Sequence, residues 1–422
     1  MFDTNIGGVM RYILHSDLNN FYASVECMIN PSIRNKAVVV VGDVEKRHGI
    51  VLAKNYIAKS YGIKTGDTVW EAKNKCLEEL VTVPTHFELY QKISKYVKDI
   101  YRSYSDRVES FGIDEAWIDI SERVHSFEEA EALANTIRLR VLEEVGVTVS
   151  IGVSFNKVFA KLGSDYKKPN AVTVISDTNF KDIVYPLPCE DLIMVGRHTK
   201  EKLNKNNIFT IRDIAEAGID FLKRLLGKNG ESIYRFATGL DDSEVKLVGS
   251  PEEIKSVGNS TTCPKDLTTD DEVKSVIYIL AENVAKRMRT KNLWCNEVSL
   301  TIKNSRLESV DRQRKLEFPT NLASDIARVC FDIFKSEYDW SETVRLVGVR
   351  ASGICSEPMQ YNFLVNEDNI HKKQKLEETV EDLRKRFGYR AITRACVKCD
   401  VEIDTIDPTE PRFSIHPQSF MK

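Results

Sequence analysis

Residues 108–121 read VESFGIDEAWIDIS, two strand-like pieces that flank Gly112. Apolar and polar residues alternate along both pieces, a pattern typical of strands with one buried face. The second piece begins with two acids, Asp114 and Glu115, at a position where the alternation predicts the core. This stretch therefore predicts two consecutive strands and a pair of carboxylates where the second strand begins.

The pattern on either side of this stretch sets the fold class. Residues 11–17 form a short apolar strand that ends at Asp17, and residues 147–153 form another strand. Helical spacing of apolar residues predicts helices at 87–105 and 127–145. The resulting β-α-β-β-α-β order predicts an antiparallel sheet covered by helices on one face, which is a ferredoxin-like palm in an α+β protein.

Composition and hydrophobic pattern divide the rest of the chain. Inside a segment that interrupts the palm, residues 37–41 predict a strand and residues 52–61 predict a helix. Near the end of the chain, residues 369–387 predict one strongly charged helix. In chain order, we expect palm at 1–30 and 85–176, the inserted segment at 31–84, short glycine-broken helices at 177–242, a polar linker at 243–256, a second α/β unit at 257–354 and a tail at 355–422.

The overall composition excludes several classes of protein. The chain has 422 residues, 42% of them apolar and 29% charged, which is typical of a globular protein of several domains. No run approaches the roughly 18 apolar residues of a membrane span, and the N-terminus lacks the pattern of a signal peptide. The nine cysteines are scattered and odd in number, unlike a disulfide framework. We therefore expect a cytoplasmic protein with reduced thiols and no membrane contact.

Asp17, Asp114 and Glu115 are three acids at positions where the pattern predicts burial. A buried carboxylate without a counter-charge is strongly destabilising or becomes protonated, and the neighbouring sequence offers no obvious basic partner. Mg²⁺ prefers carboxylate oxygens and leaves room for substrate phosphates, so the trio predicts a phosphoryl-transfer site with two metal ions. On the pattern alone, the alternative that these acids lie in water at turns or strand edges stays open.

A nucleoside triphosphate needs protein cations as well, because it carries more negative charge than two metal ions neutralise. Tyr56 and Lys59 are three residues apart on the predicted 52–61 helix and share one face. Lys168 precedes Pro169, which stiffens the chain. Each lysine is a candidate phosphate ligand, with a solvated surface lysine as the alternative.

Four blocks of this sequence resemble the Y-family translesion DNA polymerases, and most closely their bacterial branch. The similarity extends over residues 10 to about 355, and the blocks occur in the family's order and spacing. They are ILHSDLNNFYASVE at 13–26, LAKNYIAKSYGIKTG at 52–66, FGIDEAWIDIS at 111–121 and GVSFNKVFAKLGSDYKKPNA at 152–171. The resemblance implies a right-hand polymerase with a ferredoxin-like palm, small fingers at 31–84, a helical thumb at 177–242 and a C-terminal α/β little-finger domain at 257–354.

The resemblance also implies which residues hold metal. Asp17, Asp114 and Glu115 would be the catalytic acids and the ligands of two Mg²⁺ ions. Leu18 would add its backbone carbonyl to the ligand set.

Other residues of the same blocks would contact the incoming deoxynucleotide. Phe21 and Tyr22 would lie at its sugar, with Tyr22 as a steric gate whose ring collides with a ribose 2′-hydroxyl. The alternative for Tyr22 is an ordinary buried aromatic residue next to Phe21. Tyr56, Lys59 and Lys168 would contact the triphosphate.

This chain departs from the family pattern at several positions. Many relatives carry a hydroxyl residue where this chain has Ala53 and an arginine where it has Lys59, so bidentate recognition of phosphate is lost while the charge is kept. The thumb of the family has a helix-hairpin-helix with a Gly-x-Gly turn, and here Gly196 is kept but His198 replaces the second glycine. We therefore expect weaker phosphate binding at this turn.

Basic residues suggest where DNA would bind. Residues 286–315 contain nine Lys or Arg against three acids, a net charge of +6 inside the predicted little finger. Such charges track phosphates without reading sequence, although a solvated helix face is the alternative. The candidate DNA-binding residues are Gly196, Lys286, Arg287, Arg289, Lys303, Arg306, Arg312 and Arg314.

The tail contains MQYNFLVNE at 359–367, which resembles a degenerate form of the short peptide by which bacterial polymerases dock on the sliding clamp. Gln360 is followed by three apolar or aromatic anchors, Tyr361, Phe363 and Leu364. The alternative is that this cluster packs on the neighbouring domain.

Together these features predict a DNA-templated DNA polymerase of low fidelity that extends a primer 3′ end past damaged bases. The expected partners are primer–template DNA, deoxynucleoside triphosphates and a sliding clamp, and the expected state is a monomer. Two other classes stay open at this point. A palm-fold nucleotide cyclase would need the acids but no thumb or basic second domain, and an inactive DNA-binding scaffold would be expected to lack one of the three acids.

Overall fold

The structure is a computed structural model, and it describes residues 10–43, 49–76, 79–251, 253–356, 367–400 and 402–407. The chain divides into two compact units at Ser250 and Pro251. Among the described residues, no helix is both long enough and apolar enough to cross a membrane.

The first unit alternates strands and helices. Its strands are β1 (Ile13–Leu18), β2 (Val38–Val41), β3 (Val51–Lys54), β4 (Val81–Pro84), β5 (Val108–Phe111), β6 (Glu115–Asp119), β7 (Val149–Ser154) and β8 (Val172–Ile175). Its helices are α1 (Phe21–Ile29), α2 (Tyr56–Ser60), α3 (Val69–Lys75), α4 (Phe87–Arg102), α5 (Phe127–Val145), α6 (Lys157–Tyr166), α7 (Phe180–Val184), α8 (Arg197–Asn204), α9 (Ile211–Ala217), α10 (Ile219–Leu226) and α11 (Lys228–Ala237).

The palm sheet has the strand order β5, β6, β1, β7, β8. β1 lies between β6 and β7 and pairs antiparallel with both, while β8 extends the edge in parallel with β7. This is the ferredoxin-like arrangement that the order of elements predicted. Because β1 is central, the end of this strand that carries Asp17 has a neighbouring strand on each side.

Helices cover both faces of the palm sheet, so the expectation of helices on one face alone is wrong. Leu14 and Ile118 belong to the core that α4 and α5 share with one face. On the other face, the indole Nε1 of Trp117 donates to the carbonyl of Lys157 in α6 at 2.9 Å. Gly152 permits this close approach, because a Cβ there would lie 1.8 Å from a carbonyl oxygen of α6. A glycine adds nothing to a hydrophobic pattern, which is why the second covered face was missed.

The fingers segment contains a small sheet in the order β3, β2, β4. The predicted helix at 52–61 is wrong in its first half, because residues 51–54 pair with β2 as a strand. Asn55 ends this strand and caps α2, since its side-chain oxygen accepts hydrogen bonds from the backbone N–H of Ala58 at 2.9 Å and of Val38 at 3.1 Å. Cross-strand pairing thus overrides the helical spacing in this stretch.

The helices α7 to α11 of the thumb share one apolar core with α6. After them the chain returns to the palm. The guanidinium of Arg11 donates to the carbonyls of Asp241 at 2.9 Å and Ser243 at 3.0 Å, and Val245 is fully buried. The first residues of the predicted 243–256 linker are therefore packed against the palm.

The second unit repeats the strand and helix succession of the palm. Its elements are β9 (Ser256–Leu267), α12 (Asp270–Thr290), β10 (Trp294–Asn304), β11 (Ser309–Thr320), α13 (Ala323–Glu337), β12 (Val344–Cys355) and the tail helix α14 (Glu367–Phe387). The sheet order is β11, β10, β12, β9, with every pair antiparallel. Val298, Leu300 and Val349 point to the core shared with α12 and α13, so the alternate residues of these strands form the opposite face.

The tail helix α14 lies beside α12 and is held there by ion pairs. Arg289 pairs with Glu377 at 2.6 Å and also with Glu381, and its side chain is only 8% exposed. Glu282 of α12 pairs with Arg384 at 2.9 Å. The predicted charged helix is therefore present, and its charges are used to attach it to the little finger.

Candidate active site

Two of the predicted metal-binding acids lie at adjacent positions in the palm sheet. Asp17 of β1 and Glu115 of β6 are direct cross-strand partners, and Glu115 pairs with Lys161 of α6. Asp114 lies in the turn just before β6, and its carbonyl accepts a hydrogen bond from the N–H of Leu18 at 3.0 Å. The β5–β6 turn is thereby fixed to the end of β1, which gathers the three acids at one end of the palm.

Basic side chains accompany two of these acids. The Nζ of Lys168 lies 2.7 Å from Oδ2 of Asp17, and Nε2 of His15 lies 3.1 Å from Oε2 of Glu115. Burial lowers the pKa of His15 to about 4, so the imidazole is neutral at physiological pH. Burial alone would raise the pKa of Glu115, but His15 and Lys161 outweigh it and lower the pKa. Glu115 is therefore ionised.

Asp17 and Asp114 are compensated less than Glu115. Burial raises the pKa of Asp17, and the charge of Glu115 raises it further against the opposing Lys168. Burial, followed by the charge of Glu115, also raises the pKa of Asp114. The pKa values of Asp17 and Asp114 are thus raised although lysines lie nearby, and a bound divalent cation would stabilise the ionised form of both carboxylates.

The arrangement of the acids bears on how they could hold metal. Within the described part of the chain, no three His, Cys, Asp or Glu side chains are positioned to hold an ion as they stand. Lys168 and Lys161 instead occupy oxygens of Asp17 and Glu115. The donor set consists of hard carboxylate oxygens, which fits Mg²⁺, and a bound ion would take the place of these lysines.

Sequence reasoning missed three residues that support the acids: His15, Lys161 and Lys98. The Nζ of Lys98 donates to the carbonyl of Gly112 at 2.8 Å and so holds the turn before Asp114. Burial lowers the pKa of Lys98 to about 8. One signal was available for α6, because Lys161 and Ser164, which contacts His15, are three residues apart and share a helix face.

The sugar candidates Phe21 and Tyr22 begin α1, and two asparagines separate them from the end of β1. Phe21 is buried in the palm core, whereas Tyr22 is only partly buried. The ring of Tyr22 stacks on that of Tyr90, with the centroids 4.3 Å apart and the planes inclined by 13°. One side of the Tyr22 ring is therefore supported by the palm.

The triphosphate candidates come from different elements. Tyr56 and Lys59 both lie on α2, and Nζ of Lys59 is 5.7 Å from the Tyr56 ring centroid. Burial raises the pKa of Tyr56, and the charges of Lys168 and Asp17 also act on it, so the start of α2 lies near the acidic end of β1. Lys54 lies near Lys59: burial lowers the pKa of Lys54, and the charge of Lys59 lowers it further.

In the thumb, Gly196 is the N-cap of α8. A Cβ built on Gly196 would meet no atom within 4 Å among the described residues. The side chains of Arg197 and His198 are almost fully exposed. The start of α8 is therefore open to an approaching phosphate.

The predicted DNA-binding residues of β10 and β11 lie on different faces of the little-finger sheet. Lys303 is on the face opposite the helices, because the neighbouring Ile302 points into the core on the helix side. Arg312 and Arg314 lie on the helix side, where Nε of Arg312 pairs with Glu337 of α13 at 2.8 Å. These residues are not gathered on one surface.

The remaining little-finger candidates are also dispersed. Arg306 lies in the β10–β11 turn, is 70% exposed and pairs with Glu342. On α12, Lys286 is half-buried, Arg287 donates to the carbonyl of Gly258 at 2.9 Å, and Arg289 is held by the tail.

Two basic residues of the open sheet face were missed by the sequence analysis. Arg350 of β12 pairs across from Ser299, and Lys315 of β11 pairs across from Glu297. Both Arg350 and Lys315 are exposed. Together with the half-buried Lys303 they form a surface that we call the basic face. Strand alternation was the available signal, but it needed the register of the neighbouring strands.

The predicted clamp residues Gln360, Tyr361, Phe363 and Leu364 lie outside the described residues. The next part of the tail that the structure describes is the helix α14.

Comparisons with known proteins agree with this geometry. The model of the impB/mucB/samB family matches residues 16–165, and that of the family's C-terminal domain matches residues 254–363. The chain is 49% identical to DNA polymerase IV of Acetivibrio thermocellus over 94% of its own length and all of the relative. It is 34% identical to DNA polymerase IV 1 of Bacillus subtilis over 92% of its length and 93% of the relative.

Solved structures share the fold. A chimera of the Y-family DNA polymerases Dbh and Dpo4 superposes with a TM-score of 0.73 at 24% identity, covering 82% of this chain and all of the other. DinB from Sulfolobus solfataricus gives a TM-score of 0.55 at 24% identity, covering 81% and 98% of the two chains.

The relatives support neither a nucleotide cyclase nor an inactive scaffold. The chain belongs to the impB/mucB/samB family and is a bacterial Y-family translesion DNA polymerase, a DNA-directed DNA polymerase.

Proposed function

We propose that this polymerase carries out nucleotide addition at the end of β1, with Asp17, Asp114, Glu115 and the carbonyl of Leu18 as ligands of two Mg²⁺ ions. The observation that carries this proposal is the direct pairing of Asp17 with Glu115 beside the turn of Asp114. Divalent metal dependence is the general expectation for a polymerase of this family.

Bound ions would lower the barrier by activating the primer 3′-hydroxyl and neutralising charge on the triphosphate. The protein's part is to keep Glu115 ionised and to fix the carboxylates in place. Lys161 and His15 do this for Glu115, and Lys98 fixes the turn of Asp114. Lys168 pairs with Asp17 at 2.7 Å, and its ammonium would bind the triphosphate when a cation is held by Asp17.

The incoming deoxynucleotide is proposed to lie between α1 and α2. Tyr22 faces its sugar and excludes a 2′-hydroxyl by steric clash, while Phe21, buried beside it in the palm core, supports this end of α1. Tyr56 and Lys59 contact its phosphates from α2, and Lys59 acts as a point charge rather than a bidentate donor.

We assign DNA binding in the thumb to Gly196 and in the little finger chiefly to Lys303, Lys315 and Arg350. This assignment is supported by the exposure of Lys315 and Arg350 and by the common position of all three on the open sheet face. Lys and Arg that reach solvent bind phosphates without reading sequence.

The other predicted cations are assigned a smaller part in DNA binding, or none. Arg306, Arg312 and Arg314 contribute less, because each has a partner within its own unit. Lys286 and Arg287 lie on α12, on the side of the sheet away from the basic face, and are assigned no primary contact. Arg289 is assigned to holding the tail.

The tail is proposed to dock on a sliding clamp through Gln360, Tyr361, Phe363 and Leu364. An extended peptide of this kind buries a few apolar anchors in a partner's pocket. We further propose a monomer that works in the cytoplasm.

Primer extension tests the proposed site. With Mg²⁺, the purified protein should extend a primer on an undamaged template and past a single lesion, and EDTA should abolish both reactions. Extension by an Asp17→Asn, Glu115→Gln double variant at the wild-type rate would contradict the assignment of the acids.

A further inference from the structure

Glu26 is a buried carboxylate that lies outside the metal site. It lies on α1 and is only 2% exposed. Its Oε1 accepts a hydrogen bond from the hydroxyl of Tyr90 at 2.5 Å, and Nδ1 of His86 lies 2.8 Å from the same oxygen. Because burial of an unpaired carboxylate is strongly unfavourable, these two partners fix Glu26, and Glu26 in turn fixes them.

The same two helices carry the ring stack behind the sugar site. Tyr22 and Glu26 are four residues apart on α1, and His86 and Tyr90 are four residues apart at the start of α4. Tyr90 is fully buried and stacks on Tyr22, and Phe87 meets both rings edge-on at centroid distances of 6.0 and 6.1 Å. The position of the Tyr22 ring therefore depends on where Tyr90 is held.

We propose that Glu26 is a positioning residue for sugar selection: by anchoring the hydroxyl of Tyr90, it fixes the ring that backs Tyr22. This inference rests on the proposed role of Tyr22 as the steric gate. Steric repulsion rises steeply over a few tenths of an ångström, so a gate that can recede slightly discriminates much less than one with a fixed backing.

His86 is the second partner of Glu26, and it is more exposed than Tyr90. Its side chain is about half exposed, whereas Glu26 and Tyr90 are buried. An exposed partner contributes less than a buried one, because water replaces its hydrogen bond. The loss of His86 should therefore relax sugar selection less than the loss of the Tyr90 hydroxyl.

The test measures kcat/KM for dCTP and for CTP opposite a template guanine in single-nucleotide extension. Tyr90→Phe keeps the stacked ring but removes the hydroxyl, and Glu26→Ala removes the anchor. Both should lower the dCTP preference by roughly fivefold or more while dCTP addition is largely retained. Glu26→Gln, which keeps a hydrogen-bond acceptor, should restore most of the preference lost in Glu26→Ala.

Tyr101→Phe is the matched control. Tyr101 is also a buried tyrosine of α4, and its hydroxyl bonds the hydroxyl of Ser16 at 2.7 Å, so this variant loses a comparable hydrogen bond away from the Tyr22 stack. It should keep the wild-type sugar preference, and melting temperatures should show Tyr101→Phe and Tyr90→Phe to be similarly folded.

Tyr22→Ala distinguishes a failure of the steric gate from a failure of the positioning role of Glu26. If it leaves sugar preference unchanged, the steric gate itself is wrong and the inference falls with it. If Tyr22→Ala relaxes the preference but Tyr90→Phe and Glu26→Ala do not, the gate stands and the positioning role of Glu26 is overturned. The same holds if Tyr101→Phe relaxes the preference as much as Tyr90→Phe does.

Discussion

The palm and the little finger share one succession of elements, strand, helix, strand, strand, helix, strand, but arrange their sheets differently. In the palm the first strand, β1, lies in the centre between β6 and β7. In the little finger the first strand, β9, lies at an edge, and β10 and β12 take the centre. Element order alone therefore leaves open which strand becomes the centre of a sheet.

The two sheets also use charge in opposite ways. The palm buries Asp17 and holds the partly buried Glu115 against Lys161 of α6, where electrostatic effects are stronger than in water. The little finger exposes Lys315 and Arg350 on an open sheet face, where water and salt screen their charges. The same succession of elements can therefore hold charges away from water beneath a helix, as in the palm, or present them to solvent, as in the little finger.

The largest expected effect comes from the palm. Asp114→Ala should lower the rate of nucleotide addition by about 1,000-fold or more, because one carboxylate of the metal site is lost. Primer–template affinity should stay within a few-fold, since phosphate contacts lie elsewhere. Single-turnover extension and fluorescence anisotropy measure the two quantities, and Asp106→Ala, an exposed acid before β5, is the control. A loss of DNA affinity that parallels the loss of rate would contradict the separation of catalysis in the palm from DNA binding elsewhere.

The next effect concerns sugar selection. Tyr22→Ala should raise incorporation of ribonucleotides relative to deoxynucleotides on the order of 100-fold, because the clash with the 2′-hydroxyl is removed. The ratio of kcat/KM values for matched nucleotides reports it. Tyr22→Phe keeps the ring and should keep the discrimination, so relaxed selectivity in that variant would argue for a hydroxyl contact instead of a clash.

A smaller effect is expected from the basic face. Lys303→Gln, Lys315→Gln and Arg350→Gln together should weaken primer–template binding on the order of tenfold and reduce the salt dependence by about one counterion for each cation removed. The extension rate at saturating DNA should be unchanged. Arg328→Gln, an exposed arginine on α13, is the control on the helix side. Equal weakening by the control would mean that the open face has no special part in binding.

The smallest effect is expected from the tail. Changing Gln360, Phe363 and Leu364 to Ala should remove stimulation by a sliding clamp and leave basal synthesis on short templates intact, because tethering raises local concentration without altering the active site. A lower melting temperature together with lost basal activity would instead indicate that these side chains pack on the little finger.

The palm was largely predictable because its signals are local. Strand ends at Asp17 and Glu115 follow from alternation within a few residues of each. His15, Lys98 and Lys161 were missed because their contacts join β1, α4 and α6, which are far apart in the sequence. A position pattern along one element cannot show which distant element covers it.

The little finger was less predictable for the same physical reason. A charge count found the basic window but could not sort it into faces, which the β10 register decides. Arg289 illustrates the difficulty: it lies within the window, but Glu377 and Glu381 of the tail bind it. Docking of α14 depends on ion pairs between segments about 90 residues apart, and helix periodicity does not report them.

The Mg²⁺ dependence of nucleotide addition, measured at saturating primer–template and deoxynucleotide, tests most directly that the buried acids of the palm hold the ions. The rate should rise more steeply than in proportion to Mg²⁺, and Glu115→Gln should need at least about tenfold more Mg²⁺ or stay inactive. Addition at the wild-type rate in EDTA, or an unchanged Mg²⁺ dependence in Glu115→Gln, would contradict the account.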